Sequence, residues 1–280
     1  MVARNPAVLI TGCGNGGIGH ALAKEFKAKG YTVITTLLAH EDNTHLVEAG
    51  IHSFVADVTK DADLEGLRKQ VSELTDGHLD VLVNNAGICY TMTAVDHDVA
   101  QAEKMFAVNV FGPMRMVVHF HKLLVAAKGK VVNIGSVGGI VPYVYGASYN
   151  ASKAALHHWG NTLRVELKPL GVDVVNIISG EVATNILKSD RGRTLPAGSL
   201  YAPLAAEFAG HVDRTPNTTT PQQYAAAVVG EVSKRHSQAW FWTGATTSIV
   251  RWGDMFLPRT YWDGLFTKWF NLNKLKVERA

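Results

Sequence analysis

Apolar residues follow two rhythms along the chain. One is the short unbroken run: Ala7-Val8-Leu9-Ile10 and Val81-Leu82-Val83 are too short for buried helices and rich in β-branched side chains, so they predict buried strands. The other recurs every three or four residues, as at 20–28, where Ala21, Leu22 and Phe26 stand among Lys24, Glu25 and Lys27 and predict a helix. The pattern places strands at 8–11, 32–36, 53–56, 81–84, 130–134, 173–178 and 239–243. Strands alternate with helices through about 178, which predicts an α/β fold. Its core is one doubly wound parallel sheet with right-handed crossovers and helices on both faces.

The rhythm breaks twice. Between 180 and 221, Pro196, Gly198, Pro203, Gly210, Pro216 and Pro221 interrupt it, yet the stretch keeps apolar residues, so it reads as a lid over a site. Beyond about 240 the chain is aromatic: five of its six tryptophans (Trp240, Trp242, Trp252, Trp262, Trp269) fall there. Trp262, Phe266, Trp269 and Phe270 share one helical face, with Lys268, Lys274, Lys276 and Arg279 nearby. That face packs on the domain or on a second copy, or else lies in a membrane interface.

The length of 280 residues suits one domain, 1–280, carrying the lid and the aromatic extension. Hydrophobic content of 47% excludes disorder, and a net charge of +3 without clustering gives no nucleic-acid footprint. Cys13 and Cys89 cannot frame a disulfide scaffold, the twelve histidines are dispersed, and no metal site is expected. No leader and no apolar run of ~18 residues is read, so the expected location is cytoplasmic. Contact of the tail with lipid would add a peripheral place on endoplasmic reticulum or lipid droplets.

Chemistry concentrates in a few motifs. The first strand enters Thr11-Gly12-Cys13-Gly14-Asn15-Gly16-Gly17-Ile18-Gly19 and then a helix. Strand, glycine turn and helix form the context of a dinucleotide cradle, in which backbone N–H groups and the helix N-terminus receive the pyrophosphate. Asp57-Val58 follows the third strand; the acid either holds an adenine ring or caps the helix after Thr59. Asn84-Asn85-Ala86-Gly87 follows the fourth strand, and Asn109 interrupts an apolar helix. Tyr149 and Lys153, at i and i+4, share a helical face, with Ser136 upstream. An ammonium beside a phenol favours the phenolate, so Tyr149 is expected to titrate below its ordinary value. Such a tyrosine gives a proton to a carbonyl oxygen or takes one from an alcohol.

In this order and spacing, from about 7 to about 184, these motifs resemble the short-chain dehydrogenase/reductase family. Val131 to Pro142, Ile178-Ser179-Gly180 and Phe270-Asn271-Leu272-Asn273-Lys274-Leu275-Lys276 are similar to a fungal subgroup that includes 1-acyldihydroxyacetone-phosphate reductases, many of whose relatives serve secondary metabolism. The resemblance implies a Rossmann-type fold and hydride transfer between a nicotinamide cofactor and a ketone or secondary alcohol. Tyr149 would be the acid/base, Lys153 its tuner and the ribose holder, Ser136 the support of the substrate oxygen, and Asn109 part of a water relay. Cofactor contacts would come from Gly12, Asn15, Gly17, Ile18, Gly19, His40, Asp57, Val58, Asn85, Ala86, Gly87, Tyr149, Lys153, Gly180, Val182 and Thr184. An apolar substrate pocket would be lined by Tyr90, Val137, Tyr143, Tyr145 and Ile186.

For an NAD enzyme an acid is expected at the end of the second strand. Here Leu37-Leu38-Ala39-His40 stands there, with Glu41 and Asp42 a few residues late, and no arginine or lysine serves a 2′-phosphate. His40, Thr36 and Asn15 are the polar candidates. NADPH is the expected cofactor and NADH the less favoured one. The partners expected are a mostly apolar or acyl-lipid-like small molecule and further copies of the chain in a homodimer or homotetramer. The rival to a ketone reductase is a scaffold of the same fold that guides a non-redox cyclisation or acts as a binding module.

Overall fold

The computed structural model describes residues 4–184, 186, 190–214 and 218–275. Within them, seven strands form one parallel sheet in the order β3-β2-β1-β4-β5-β6-β7. The strands are β1 (Ala7–Ile10), β2 (Thr32–Leu37), β3 (His52–Val55), β4 (Val81–Asn84), β5 (Lys130–Ile134), β6 (Asp173–Ser179) and β7 (Trp240–Thr243). Their bounds lie within a residue or so of the pattern-based ones.

Alternation along each strand sends side chains to opposite faces. Val8 and Ile10 join Val81, Val83, Val132 and Val175 under α1 (Ile18–Ala28) and α8 (Pro221–Val232). Ala7 and Leu9 join Leu82, Val131 and Val174 under α3 (Asp61–Leu74), α5 (Gly112–Ala127) and α6 (Ala147–Leu167). Both faces are therefore covered, which is why the strands read as unbroken apolar runs.

Three asparagines break that apolar rule inside the sheet. Asn84, Asn133 and Asn176 stand opposite one another on β4, β5 and β6. Asn84 Nδ2 donates to Asn133 Oδ1 (2.9 Å), and Asn133 Nδ2 donates to Asn176 Oδ1 (3.1 Å). Asn176 Nδ2 donates to the His157 carbonyl of α6 (3.0 Å). Gly160 of α6 lies directly against this ladder; a Cβ there would stand 2.3 Å from Asn176 Oδ1. The ladder thus sets how deeply α6 seats on the sheet.

The aromatic extension forms a third cluster beyond the carboxyl ends of the strands. It comprises α9 (Thr247–Phe256) and α10 (Tyr261–Trp269), packed with α7 (Ala205–Val212). Trp262, Phe266 and Phe270 are 4%, 5% and 7% exposed, whereas Trp269 is 62% exposed, so most of the predicted aromatic face packs on the chain itself. Ring contacts to Tyr143 from Phe266 (5.7 Å) and Phe270 (5.2 Å) fix it there. Lys274 pairs with Glu207 of α7. Lys276 and Arg279 lie outside the described residues, as does Pro216. No helix among the described residues is long and apolar enough to cross a membrane.

Candidate active site

A long cleft opens at the carboxyl ends of the strands, where an open parallel sheet offers ligands its loops and helix N-termini. Its first wall is the glycine turn after β1. Gly12 has φ +69°, and a Cβ on it would stand 2.8 Å from Ala86 Cα, so only glycine allows the two loops to touch. Asn85 Nδ2 donates to the carbonyls of Thr11 and Gly12 (2.8 Å each), while the amides of Asn85 and Ala86 donate to Thr11 Oγ1 (3.1 and 3.0 Å). Two motifs 74 residues apart are thereby bolted together. Gly12, Asn15, Gly17 and Ile18 line the cleft beside the start of α1, and Ala86 and Gly87 line it opposite. Gly19 lies beneath instead, where a Cβ would meet the Gly12 carbonyl at 2.5 Å. A bare-backbone turn at a helix N-terminus fits a dinucleotide pyrophosphate.

Two sequence readings change at the next strand ends. His40 is exposed and is not among the cleft-lining residues; Thr36, Leu37, Leu38 and Glu41 line it instead. Glu41 stands late in the sequence for the end of β2, but its side chain folds back: Leu38 N donates to Glu41 Oε2 (2.7 Å). Asp57 accepts from the amide (2.9 Å) and hydroxyl (2.7 Å) of Thr59, which is the turn-capping alternative, and it also lines the cleft with Val58. These bonds hold its carboxyl below the usual range against the opposing effect of burial.

The floor is built by β5 and α6. Ser136 follows β5, its Oγ accepting from Gly138 N (3.0 Å) and its amide donating to His157 Nε2 (3.2 Å). Tyr149 and Lys153 stand one turn apart on α6, and Lys153 Nζ lies 5.7 Å from the Tyr149 ring centre. Lys153 Nζ donates to the Ile134 carbonyl (2.8 Å), and burial lowers its pKa to about 8. The expected downward shift of Tyr149 is reversed here. Burial, reinforced by Cys89, pushes its phenol up to about 12 against a hydrogen bond with Ser136. Asn109 does not line the cleft. It occupies a π-helical turn, Ala107–Phe111, a distortion frequent at functional sites. Its Oδ1 accepts from Ile88 N (2.9 Å), and its Nδ2 donates to Ile88 O (2.9 Å) and Ser152 Oγ (3.1 Å). Ser152 in turn donates to the Tyr149 carbonyl (2.8 Å). Asn109 therefore ties the loop after β4 to the tyrosine turn.

Gly180, Val182 and Thr184 border the cleft beyond β6, and Tyr90, Val137, Tyr143, Tyr145 and Ile186 line it farther out. Trp262, Phe266, Trp269 and Phe270 complete that apolar end. Sequence reasoning missed Asp190, which is buried and accepts from the Thr91 amide (3.0 Å), the Thr91 hydroxyl (2.7 Å) and Cys89 Sγ (3.3 Å). Arg193 pairs with it at 2.7 Å and lies 4.3 Å over the Tyr90 ring, and both Arg193 and Arg214 line the cleft. Asp190 lies about a hundred residues from Cys89 and Thr91, and Arg193 about as far from Tyr90, so no local pattern marks them.

Comparison with known proteins agrees with this geometry. The family model described as short chain dehydrogenase matches residues 6–194. "Short-chain dehydrogenase RED1" of Pyricularia oryzae is 63% identical over 270 residues, covering 95% of each chain. "NADPH-dependent 1-acyldihydroxyacetone phosphate reductase" of Schizosaccharomyces pombe is 35% identical, covering 89% of this chain and 88% of that one. A short-chain dehydrogenase crystal structure from Streptomyces avermitilis superposes with a TM-score of 0.77 at 26% identity, covering 97% and 98% of the two chains. With a glycine cradle, a half-buried Tyr149 one helical turn from the buried Lys153 and these relatives, the chain belongs to the short-chain dehydrogenase family of oxidoreductases.

Proposed function

We propose that this protein reduces a ketone of a mostly apolar or acyl-lipid-like small molecule, using NADPH, with oxidation of the secondary alcohol as the reverse reaction. The observation that carries this reading is the convergence of Tyr149, Ser136 and Lys153 on one floor, between the glycine cradle and the aromatic end of the cleft.

A bound nicotinamide would supply the hydride. The rest is done by the chain. Tyr149, held protonated at neutral pH, gives its proton to the oxygen that gains charge. Ser136 Oγ accepts from Gly138 N, and its hydroxyl proton, directed at the Tyr149 oxygen, reaches the substrate oxygen that Tyr149 protonates. Lys153, anchored on Ile134 O, keeps further N–H donors for a ribose hydroxyl. Asn109 and Ser152 fix the tyrosine turn relative to the loop after β4. The aromatic end takes the apolar body of the substrate and excludes water, and Ile186, Arg193 and His211, described residues of the stretch expected to act as a lid, line it.

The NADPH-dependent relative supports NADPH over NADH; Glu41 opposes it locally. Assembly into a homodimer or homotetramer belongs to the same reading, supported by the family to which the chain belongs. So does a place in fungal secondary metabolism, supported by the fungal source of the relatives. The test is incubation with NADPH and a panel of apolar aromatic and alkyl ketones, following cofactor oxidation and alcohol formation together. Matched consumption and product are expected. No oxidation of either cofactor by any member of the panel, with no saturable cofactor binding, contradicts the reading.

A further inference from the structure

One turn beyond Lys153 on α6, on the same helical face, stands His157. It is 3% exposed, and the loop that carries Ser136 closes around its ring. A Cβ on Gly135 would lie 2.1 Å from His157 Nε2, and one on Gly139 would lie 2.7 Å from Cε1 and 2.9 Å from Nδ1. Glycine is therefore needed on both sides of Ser136 for the loop to meet the imidazole. A polar contact joins the two: Ser136 N donates to His157 Nε2 (3.2 Å). An accepting Nε2 carries no proton, so the neutral ring holds its proton on Nδ1. That Nδ1 is buried and has no partner among the described residues. Burial, reinforced by the charge of Lys153, lowers the pKa of the ring to about 3, so the acceptor stays bare around neutral pH. The backbone of His157 is fixed as well, its carbonyl accepting from Asn176 Nδ2 (3.0 Å).

Ser136 is thus held at two atoms. Its amide is bound by His157, and its Oγ accepts from Gly138 N (3.0 Å) while its hydroxyl proton is directed at the Tyr149 oxygen. The amide bond ties the serine backbone to the helix that bears Tyr149 and Lys153. We propose that His157 is a positioning residue for the reduction: its bare Nε2 anchors the Ser136 amide on α6 and so sets the serine hydroxyl where the substrate oxygen gains charge. This rests on the ketone-reductase reading above. His157 does not line the cleft, so it acts through Ser136. A serine without this anchor keeps its hydroxyl but presents it off the productive geometry, and a displacement of about 1 Å can cost about 100-fold in rate.

Two measurements test this. The first is the long-range proton–nitrogen correlation spectrum of protein carrying isotope-labelled histidine, with the His157 signal identified by its loss in His157→Gln. The Nδ1-protonated tautomer is expected at neutral pH; a proton on Nε2 overturns the proposal. The second is steady-state reduction, by His157→Leu and His157→Gln, of the ketone that the wild type reduces fastest. Leucine removes the acceptor of Ser136 N but also the unpartnered Nδ1, so the number of orphaned buried groups is unchanged and a thermal melt is expected to show the fold intact. Its kcat is expected to fall about 10-fold to 100-fold, with KM and NADPH affinity within about threefold of wild type. Glutamine offers an oxygen to Ser136 N and is expected to bring kcat back to within about threefold of wild type. In a Ser136→Ala background, where no hydroxyl is left to position, His157→Leu is expected to lower kcat by no more than about twofold further. A kcat for His157→Leu within about twofold of wild type, or an equal loss in the Ser136→Ala background, overturns the proposal and leaves the reductase reading intact. No reduction of any ketone by the wild type overturns both.

Discussion

Replacing Asn133 by leucine tests how α6, which carries Tyr149 and Lys153, is held on the sheet. Leucine has a similar volume, so the change removes hydrogen bonds without opening a large cavity. Asn133 is fully buried between Asn84 and Asn176. Without it, Asn84 Nδ2 loses its acceptor; Asn84 Oδ1 has no donor in the native structure, so that amide becomes unpaired at both ends. Asn176 Oδ1 loses its donor as well. Two newly orphaned buried polar groups cost about 1–3 kcal/mol each, so the expected destabilisation is about 2–6 kcal/mol. That is a large part of the roughly 5–15 kcal/mol that holds a domain folded. Urea unfolding followed by circular dichroism reads it directly. A cycle with Asn84→Leu sharpens the test. The single variants leave three new orphans between them and the double variant leaves one, Asn176 Oδ1, so the double variant is expected to be more stable than the summed single losses imply, by about 2–6 kcal/mol. A loss below about 1 kcal/mol for Asn133→Leu, or strict additivity in the cycle, refutes the role given to the ladder.

Other consequences are equally direct. Gly12→Ala places a Cβ in a left-handed backbone 2.8 Å from Ala86 Cα; thermal melts are expected to show a loss of about 1–2 kcal/mol or more, and titration to show loss of cofactor binding. Acid should destabilise the protein well before the carboxylates titrate. Burial lowers His157 to about 3 and His211 to about 4, reinforced by the charges of Lys153 and Arg214 respectively. The unfolded chain binds these protons below the ordinary histidine value of about 6.5, so stability is present above that pH and falls as pH drops toward 4 and 3. At pH ~5 the pair accounts for a loss of about 4 kcal/mol, readable as a lower urea midpoint than at pH ~7.

Much of this molecule is legible in its sequence because an all-parallel sheet imposes a simple rule. Both faces are buried, so each strand declares itself as an apolar run and each crossover helix by its spacing. The motifs at the strand ends are legible for a related reason: glycine at 12, the amide of Asn85 and the Tyr149–Lys153 spacing are demanded by close backbone approach and helical geometry. What escaped the sequence acts through folding back or across distance. Glu41 reaches β2 only because a four-residue turn reverses its direction. Asp190 meets Cys89 and Thr91 across about a hundred residues. The direction of the Tyr149 shift escaped because spacing reveals a nearby ammonium but not burial. Here burial dominates, and Lys153 is committed to a backbone carbonyl. The aromatic stripe was legible as a face but not as to its partner, which proves to be Tyr143 and its neighbours on the same chain.

The central claim is that Tyr149 delivers the proton that completes carbonyl reduction. Tyr149→Phe removes one oxygen from a half-buried ring on the cleft floor and keeps its packing, so folding and cofactor affinity are expected to stay near wild type. The decisive measurement is the single-turnover rate of deuterium transfer from 4-deuterated NADPH to a ketone, in wild type and Tyr149→Phe, with product followed by mass spectrometry. The predicted result is deuterium at the carbinol carbon in wild type and a rate about 100-fold to 10,000-fold lower in the variant, with its NADPH titration unchanged. Transfer by Tyr149→Phe within a few-fold of wild type contradicts the account.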